Sequence, residues 1–251
     1  MKVVLLTTDT LHHRFFIKEI ASIISVSGIV SEKAISASQF PVNHKIDKLR
    51  DEIERNKIFV DEITYSFSDI AETKEVENIN DKGAISFLKK RCPDIIITFG
   101  TRRITEKIID EFPGCILNLH GGDPEYYRGL DSHLWSIYHN DYEKIITSLH
   151  LLERQFDTGK IISKYPLKIN KNTKIEELRY LTTVSSVHMV LGALMNFADY
   201  GYLSATPQTR LGKYYSWMPV ELKHICHRKF LTYCQSLEPY GGYEFILTIS
   251  S

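Results

Sequence analysis

Asp94-Ile-Ile-Ile-Thr-Phe-Gly100 and Cys115-Ile-Leu-Asn-Leu-His120 decide the fold. Each is a short apolar run rich in Ile and Leu, the pattern of a strand buried on both faces. The first ends in Gly100. Between the two, Ile104 to Phe112 is spaced as a short helix, and Pro113-Gly114 marks a turn. Strand, helix and strand in that order make a βαβ unit, which predicts a parallel sheet.

The pattern extends outward on both sides. Val3 to Leu6 is a strand that runs out into Thr7-Thr8-Asp9-Thr10, His12 to Ile24 is helical, and Val26 to Val30 is a second strand. Pro41 to Lys57 is charged with helical spacing through Ile46, Leu49 and Ile53. Residues 67–80 are mostly polar and read as loop, and Asp81 to Arg91 reads as a helix. Downstream, a helix opens at Asp131. Ile145 to Leu152 and Ile161 to Ile169 are β-rich runs joined through Asp157-Thr158-Gly159, a hairpin-like return at the sheet edge. Thr173 to Ala198 is a long amphipathic helix with Thr173 as cap, Glu176 at capping-box spacing and Tyr200-Gly201 as its end. From Thr206 the texture becomes short, aromatic and turn-rich. These elements predict an α/β protein with a mostly parallel sheet and flanking helices over 1–200, plus a small C-terminal extension over 201–251.

Composition narrows the function. In 251 residues, 31 Lys and Arg balance 31 Asp and Glu, so the chain lacks the broad basic field of most nucleic-acid binders. Only four strongly apolar residues follow Lys2, too few for an export signal. Leu181 to Ala198 contains Thr182, Thr183, Ser185, Ser186, His188 and Asn196 and makes a poor membrane span. Cys92, Cys115, Cys226 and Cys234 form no CxxC pair, which fits a reducing cytoplasm. His224, Cys226, His227 and Cys234 are zinc-ligand types, but their spacing matches no common zinc pattern, so no metal is expected.

The chemistry concentrates at one strand end. Side chains alternate along a strand, so Asn118 and His120 face one side and Leu119 the other. They sit at the carboxyl end of a parallel strand, where open α/β sheets border their ligand crevice. Gly121-Gly122 lets the backbone turn there. The alternative is an Asn and a His that merely cap a strand. Asp157 lies on an Asp-x-Gly turn between apolar strands, which aims it inward or makes it an ordinary turn residue.

Asn118-x-His120-Gly, then Tyr127-Arg128-Gly-Leu, then Leu149-His150 and Asp157-Thr-Gly-x-Ile-Ile resemble the folate-dependent formyltransferases. That family includes the glycinamide ribonucleotide, methionyl-tRNA and sugar-nucleotide N-formyltransferases. The resemblance runs over Met1 to Pro219 and is strongest from Pro93 to Ile169. It implies a Rossmann-like fold, N10-formyltetrahydrofolate as donor, and catalytic roles for Asn118, His120 and Asp157. It further implies a pterin site along Phe99, Gly100, Thr101, Arg102, Arg103 and Ile104, with His150 on the same side. Where such enzymes commonly carry a Ser-Leu-Leu-Pro-like run after the His, this chain has Gly121-Gly122-Asp123-Pro124-Glu125, so the loop toward the acceptor is rewritten. Thr8 to Arg14 and Lys213 to Trp217 look like members that serve surface-polysaccharide synthesis, including lipopolysaccharide.

The expected reaction is therefore formyl transfer to the amine of a UDP- or dTDP-linked amino sugar. Methionyl-tRNA formyltransferase, the purine-pathway enzyme or another small-amine formyltransferase of the same family, and a non-catalytic folate- or nucleotide-binding module are the rivals. Acceptor contacts are expected from His12, His13, Gly122, Glu125, Tyr126, Tyr127, Arg128, Tyr215 and Trp217. Of 14 Tyr, all but Tyr65 lie at or after position 126, which fits base stacking or a homodimer contact. No nucleic-acid or membrane partner is expected.

Overall fold

The computed structural model describes residues 1–33 and 38–238, apart from the side chain of Ile63. The part of the C-terminal extension at 239–251 lies outside the described residues. A seven-stranded sheet organises the chain, in the order β3-β2-β1-β4-β5-β7-β8. Its strands are β1 (Val3–Thr8), β2 (Val26–Glu32), β3 (Thr73–Val76), β4 (Ile95–Phe99), β5 (Ile116–His120), β7 (Ile146–Leu151) and β8 (Ile161–Pro166). The pairs among β3, β2, β1, β4 and β5 are parallel. The β5–β7 and β7–β8 pairs are antiparallel, the edge return expected from the two β-rich runs. Because the chain winds outward in both directions from β1 and β4, a crevice opens at their carboxyl ends.

Alternation along the strands builds a core on each face. Val3, Leu5, Ile97, Leu117 and Leu119 pack with Phe16, Ile17 and Ile20 of α1 (Leu11–Ala21) and with Val187, Val190 and Leu194 of α6 (Leu178–Tyr200). Val4, Leu6, Ile96 and Ile116 pack on the other face. They meet Ala84, Phe87 and Leu88 of α3 (Lys82–Arg91) and Ile108 of α4 (Glu106–Ile109). Burying one such side chain contributes roughly 1.5–3 kcal/mol, so the two layers together hold the sheet.

Several expectations are corrected. Residues 67–80 are not all loop: Thr73–Val76 is the edge strand β3, of which only Val76 is buried. Its charged residues suit a sheet edge and hide the strand from a hydrophobic reading. The helix expected over Ile104 to Phe112 is the single turn α4. The helix expected over Pro41 to Lys57 is α2 (Lys45–Ile53), continued by a π turn at Glu54–Ile58. Thr173 does not cap the long helix. Its Oγ1 accepts the Asn170 N–H instead. Glu177 instead accepts the Lys174 N–H at 2.8 Å, opening a 3-10 turn at Ile175–Glu177, and Glu176 is buried.

The end of the long helix stands as read, with Gly201 at φ 74 closing it. By length and composition alone, Ile175–Tyr200 could cross a membrane, yet half of its most apolar window is buried against the sheet and its neighbours. Thr182, Thr183 and Ser185 each donate to the carbonyl four residues back, which allows hydroxyls in a buried helix.

The region after Thr206 is more than turns. It contains β9 (Lys213–Tyr215), paired in parallel with β6 (Tyr127–Gly129), and the helix α7 (Val220–Ser236). Cys226, Phe230 and Cys234 of α7 bury against Ile137 of α5 (Ser132–Tyr138) and against Leu178 and Met218 in a third cluster. Burial pushes the Cys226 thiol up to about 12 and the Cys234 thiol up to about 11, so both are inert packing groups.

Candidate functional site

Four polar side chains meet at the carboxyl end of β5. Asn118 and His120 project from the same face of that strand, opposite Leu117 and Leu119. His150 comes from the antiparallel neighbour β7, directly across from Asn118. Asp157 comes from the β7–β8 turn, where its own φ of 54 is left-handed. The Asn118 Nδ2 lies 3.4 Å from Asp157 Oδ1 and 3.2 Å from His150 Nε2. His120 Nδ1 lies 3.6 Å from Asp157 Oδ2. Residues 39 apart along the chain therefore surround one point.

Each group is held by a further contact. Thr98, fully buried in β4, donates its hydroxyl to Asn118 Oδ1 at 2.6 Å. That bond takes the amide oxygen and leaves Nδ2 turned toward Asp157 and His150. His120 Nε2 donates to the Tyr127 carbonyl at 2.8 Å, which turns Nδ1 toward Asp157. His150 Nδ1 lies 2.8 Å from the Leu151 carbonyl, which makes it a donor. Asp157 Oδ2 accepts the Gly129 N–H at 2.7 Å. Burial alone would raise the Asp157 carboxyl. The His120 charge, the His150 contact and the Gly129 amide overcome it and hold the group well below the usual carboxylate range.

Asn118, His120 and Asp157 form the floor of a cavity of about 640 Å³, within the range of small-molecule sites, while His150, expected beside the donor, is buried behind them and does not line it. One wall is the loop from Phe99 to Ile104. Gly100 has φ 73, and a Cβ there would stand 2.3 Å from the His13 ring, so this position admits only glycine. Glu32, buried at the end of β2, accepts the Arg102 N–H at 2.9 Å and the Ile79 N–H at 2.8 Å, fixing the loop. The cavity continues past His12 and His13 to Arg50, Arg179 and Lys223. Lys223 and Arg50 pair with Asp47 at 3.1 and 3.0 Å, and Arg179 pairs with Asp51 at 2.8 Å and with Glu54. Burial, then His13, Arg179 and Arg50, hold His12 well below the ordinary imidazole value. Burial takes His13 down to about 3 despite its bond to the Thr8 carbonyl.

The expected acceptor residues divide. His12, His13 and Trp217 line the cavity. Glu125, Tyr126, Tyr127, Arg128, Tyr215 and Gly122 do not line it, although Gly121 does. Glu125 is bound by Lys164 and Thr209, which bring its carboxyl down to about 2 despite burial. The Tyr126 ring lies between Lys144 at 4.0 Å and Arg210 at 4.2 Å. Tyr127 donates to Asp141 at 3.0 Å and stacks on Tyr215. Arg128 donates to the carbonyls of Gly212 and Phe156. The loop rewritten in this sequence is thus tied into the tail.

Five contributing residues are not singled out by the sequence. Thr98 is a polar residue in an otherwise apolar strand, which is a usable signal. Glu32 follows a strand as an acid with no obvious partner. Arg50, Arg179 and Lys223 lie too far apart along the chain to be grouped without a fold.

The fold and the site together define an α/β enzyme with its polar cluster at the carboxyl ends of the parallel strands. Residues 47–190 match the family model described as formyl transferase, and the chain belongs to that family. Methionyl-tRNA formyltransferase of Finegoldia magna is 27% identical over 125 residues, 49% of this chain and 40% of that protein. The chain therefore spans about two-fifths of that relative's length. Among solved structures, the formyltransferase PseJ from Anoxybacillus kamchatkensis superposes with a TM-score of 0.52 at 19% identity, covering 86% of each chain. Its structure holds UDP-4,6-dideoxy-4-formamido-L-AltNAc and tetrahydrofolate. A 4-N formyltransferase from Francisella tularensis gives a TM-score of 0.57 at 15% identity, over 86% of this chain and 76% of that one. At these identities the two structures share the fold.

Proposed function

We propose that this chain is an N-formyltransferase that moves the formyl group of N10-formyltetrahydrofolate to the primary amine of a UDP- or dTDP-linked amino sugar. In this reading it works in the cytoplasm, in the synthesis of surface sugars. The observation that carries the proposal is the convergence of Asn118, His120 and Asp157 on the floor of one cavity. The donor fits the wall from Phe99 to Ile104, an irregular backbone stretch able to meet a flat heterocycle edge-on. The acceptor's diphosphate faces Arg50, Arg179 and Lys223 on the other side.

Formyl transfer passes through a tetrahedral carbon carrying an oxyanion. As the acceptor nitrogen bonds to the formyl carbon, the carbonyl electron pair moves onto oxygen. Asn118 Nδ2, which the Thr98 bond keeps on the side of Asp157, exchanges its long contact to that carboxylate for a bond to the oxyanion. His120 is the proton carrier of the step, and the ionised Asp157 orients it and balances its charge. The oxyanion then collapses, the bond to N10 breaks, and the proton given up by the acceptor amine passes to N10. Neither a covalent formyl-enzyme nor a cysteine nucleophile is needed.

A second reading, methionyl-tRNA as acceptor, draws on the curated relatives. A chain with equal numbers of basic and acidic residues offers little attraction to tRNA. The test is a comparison of acceptors. The protein is mixed with N10-formyltetrahydrofolate and either a panel of amino-sugar nucleotides or charged initiator tRNA, and tetrahydrofolate release is followed. Turnover with a sugar nucleotide supports the proposal, and turnover with tRNA alone transfers it to the second reading.

A further inference from the structure

We infer that Gln208, in the segment beyond the family match, is a positioning residue that holds Asp157 in its working geometry. The inference rests on the formyl-transfer reading for what Asp157 does, but not for the contact itself. Gln208 Nε2 donates to the Asp157 carbonyl at 2.8 Å and to the Gly159 carbonyl at 2.9 Å. One side-chain amide thus bridges both ends of the turn that carries the carboxylate.

That turn needs holding. Asp157 is left-handed at φ 54, a conformation that costs a non-glycine residue on the order of 1 kcal/mol or more unless its surroundings impose it. Two neighbouring contacts come from the same region. Thr206 and Ile161 exchange both backbone bonds at 2.8 Å, which anchors the segment immediately before Gln208. Arg128 donates to the Gly212 carbonyl at 2.7 Å and to the Phe156 carbonyl at 3.2 Å, tying the tail to the residue before Asp157. The pairing of β6 with β9 places Gly129, whose N–H meets Asp157 Oδ2. The tail therefore grips the turn at Asp157 and Gly159, is linked to Phe156 through Arg128, and supports Gly129, which binds the carboxylate itself. Gln208 is the one of these groups that bonds the Asp157 backbone directly.

The test compares Gln208→Ala and Gln208→Glu with the parent chain, alone and combined with Asp157→Asn. Gln208→Glu keeps the volume and replaces the donor with an acceptor facing two carbonyls, so it serves if the Ala variant does not fold. With an acceptor that the parent formylates, either variant lowers kcat about tenfold with KM for the donor changed less than twofold. In the Asp157→Asn background the same substitution changes the residual rate less than twofold, because the group it positions is already lost. A second readout needs no activity. Hydrogen exchange at the Gly129 amide accelerates at least tenfold in the variants, while amides in β1 keep their protection. A parent chain that transfers no formyl group overturns the functional reading and leaves the exchange measurement to decide the positioning claim. Unchanged Gly129 exchange, or an equal loss of kcat with and without Asp157→Asn, overturns the inference.

Discussion

Thr98 Oγ1 donates to Asn118 Oδ1 across the β4–β5 pair at 2.6 Å, and this bond settles which end of the amide faces the cavity. An amide turned the other way would present an oxygen to a developing oxyanion. The expected consequence is specific. Thr98→Val keeps the shape and burial of the strand but removes the donor. Steady-state kinetics then show kcat reduced about tenfold, corresponding to roughly 1.4 kcal/mol, with KM for both substrates within twofold. Circular dichroism and thermal melting confirm the retained fold.

Asp157→Asn and His120→Asn remove charge and proton transfer while leaving side chains of similar size. Each lowers kcat by about 10²–10⁴, the usual span for a positioned acid or base. Single-turnover measurements with formyl donor in excess read the chemical step directly. Rates within threefold of the parent in either variant contradict the roles assigned to them.

His13 makes stability depend on pH. It folds with its value lowered to about 3, against an ordinary 6.5. The unfolded chain therefore binds the extra proton throughout that interval, and stability rises with pH across it. At pH 5 this one group withholds about 2 kcal/mol relative to pH 8. Urea unfolding at the two values checks this: His13→Gln narrows the difference by about that amount.

Gly159 tests the packing of the Asp157 turn against β7. A Cβ there would sit 1.7 Å from the Leu151 carbonyl oxygen, so Gly159→Ala forces the backbone apart. A loss of about 2–3 kcal/mol is expected, in the range of overpacked sites, together with an equal or larger loss of activity. Thermal melting and kinetics on the same preparation measure both.

Much of this was legible in the residues. The apolar runs around Ile96 and Leu117 reveal parallel strands because burial on both faces leaves no alternation to misread. Asn118 and His120 stand out because two polar groups at period two end such a run. What stayed hidden follows physical rules as well. Thr73–Val76 pairs through its backbone at an edge where charged side chains are favoured, so hydrophobicity says nothing of it. The face of α7 is built from Cys226, Phe230 and Cys234, and a pattern in which cysteines stand for apolar residues is easily passed over. Gln208 reaches Asp157 from 51 positions away, and a contact to a backbone carbonyl leaves no trace in the identity of its partner.

Formyl transfer itself is followed by NMR with a ¹³C label in the formyl group of N10-formyltetrahydrofolate, with amino-sugar nucleotides as acceptors and Asp157→Asn as control. A new formamide carbon resonance, coupled to the sugar amine nitrogen, is expected to form in step with tetrahydrofolate and to be nearly abolished in the control. A label that stays on the donor with every amine offered, or that moves equally well in Asp157→Asn, would contradict the proposed function.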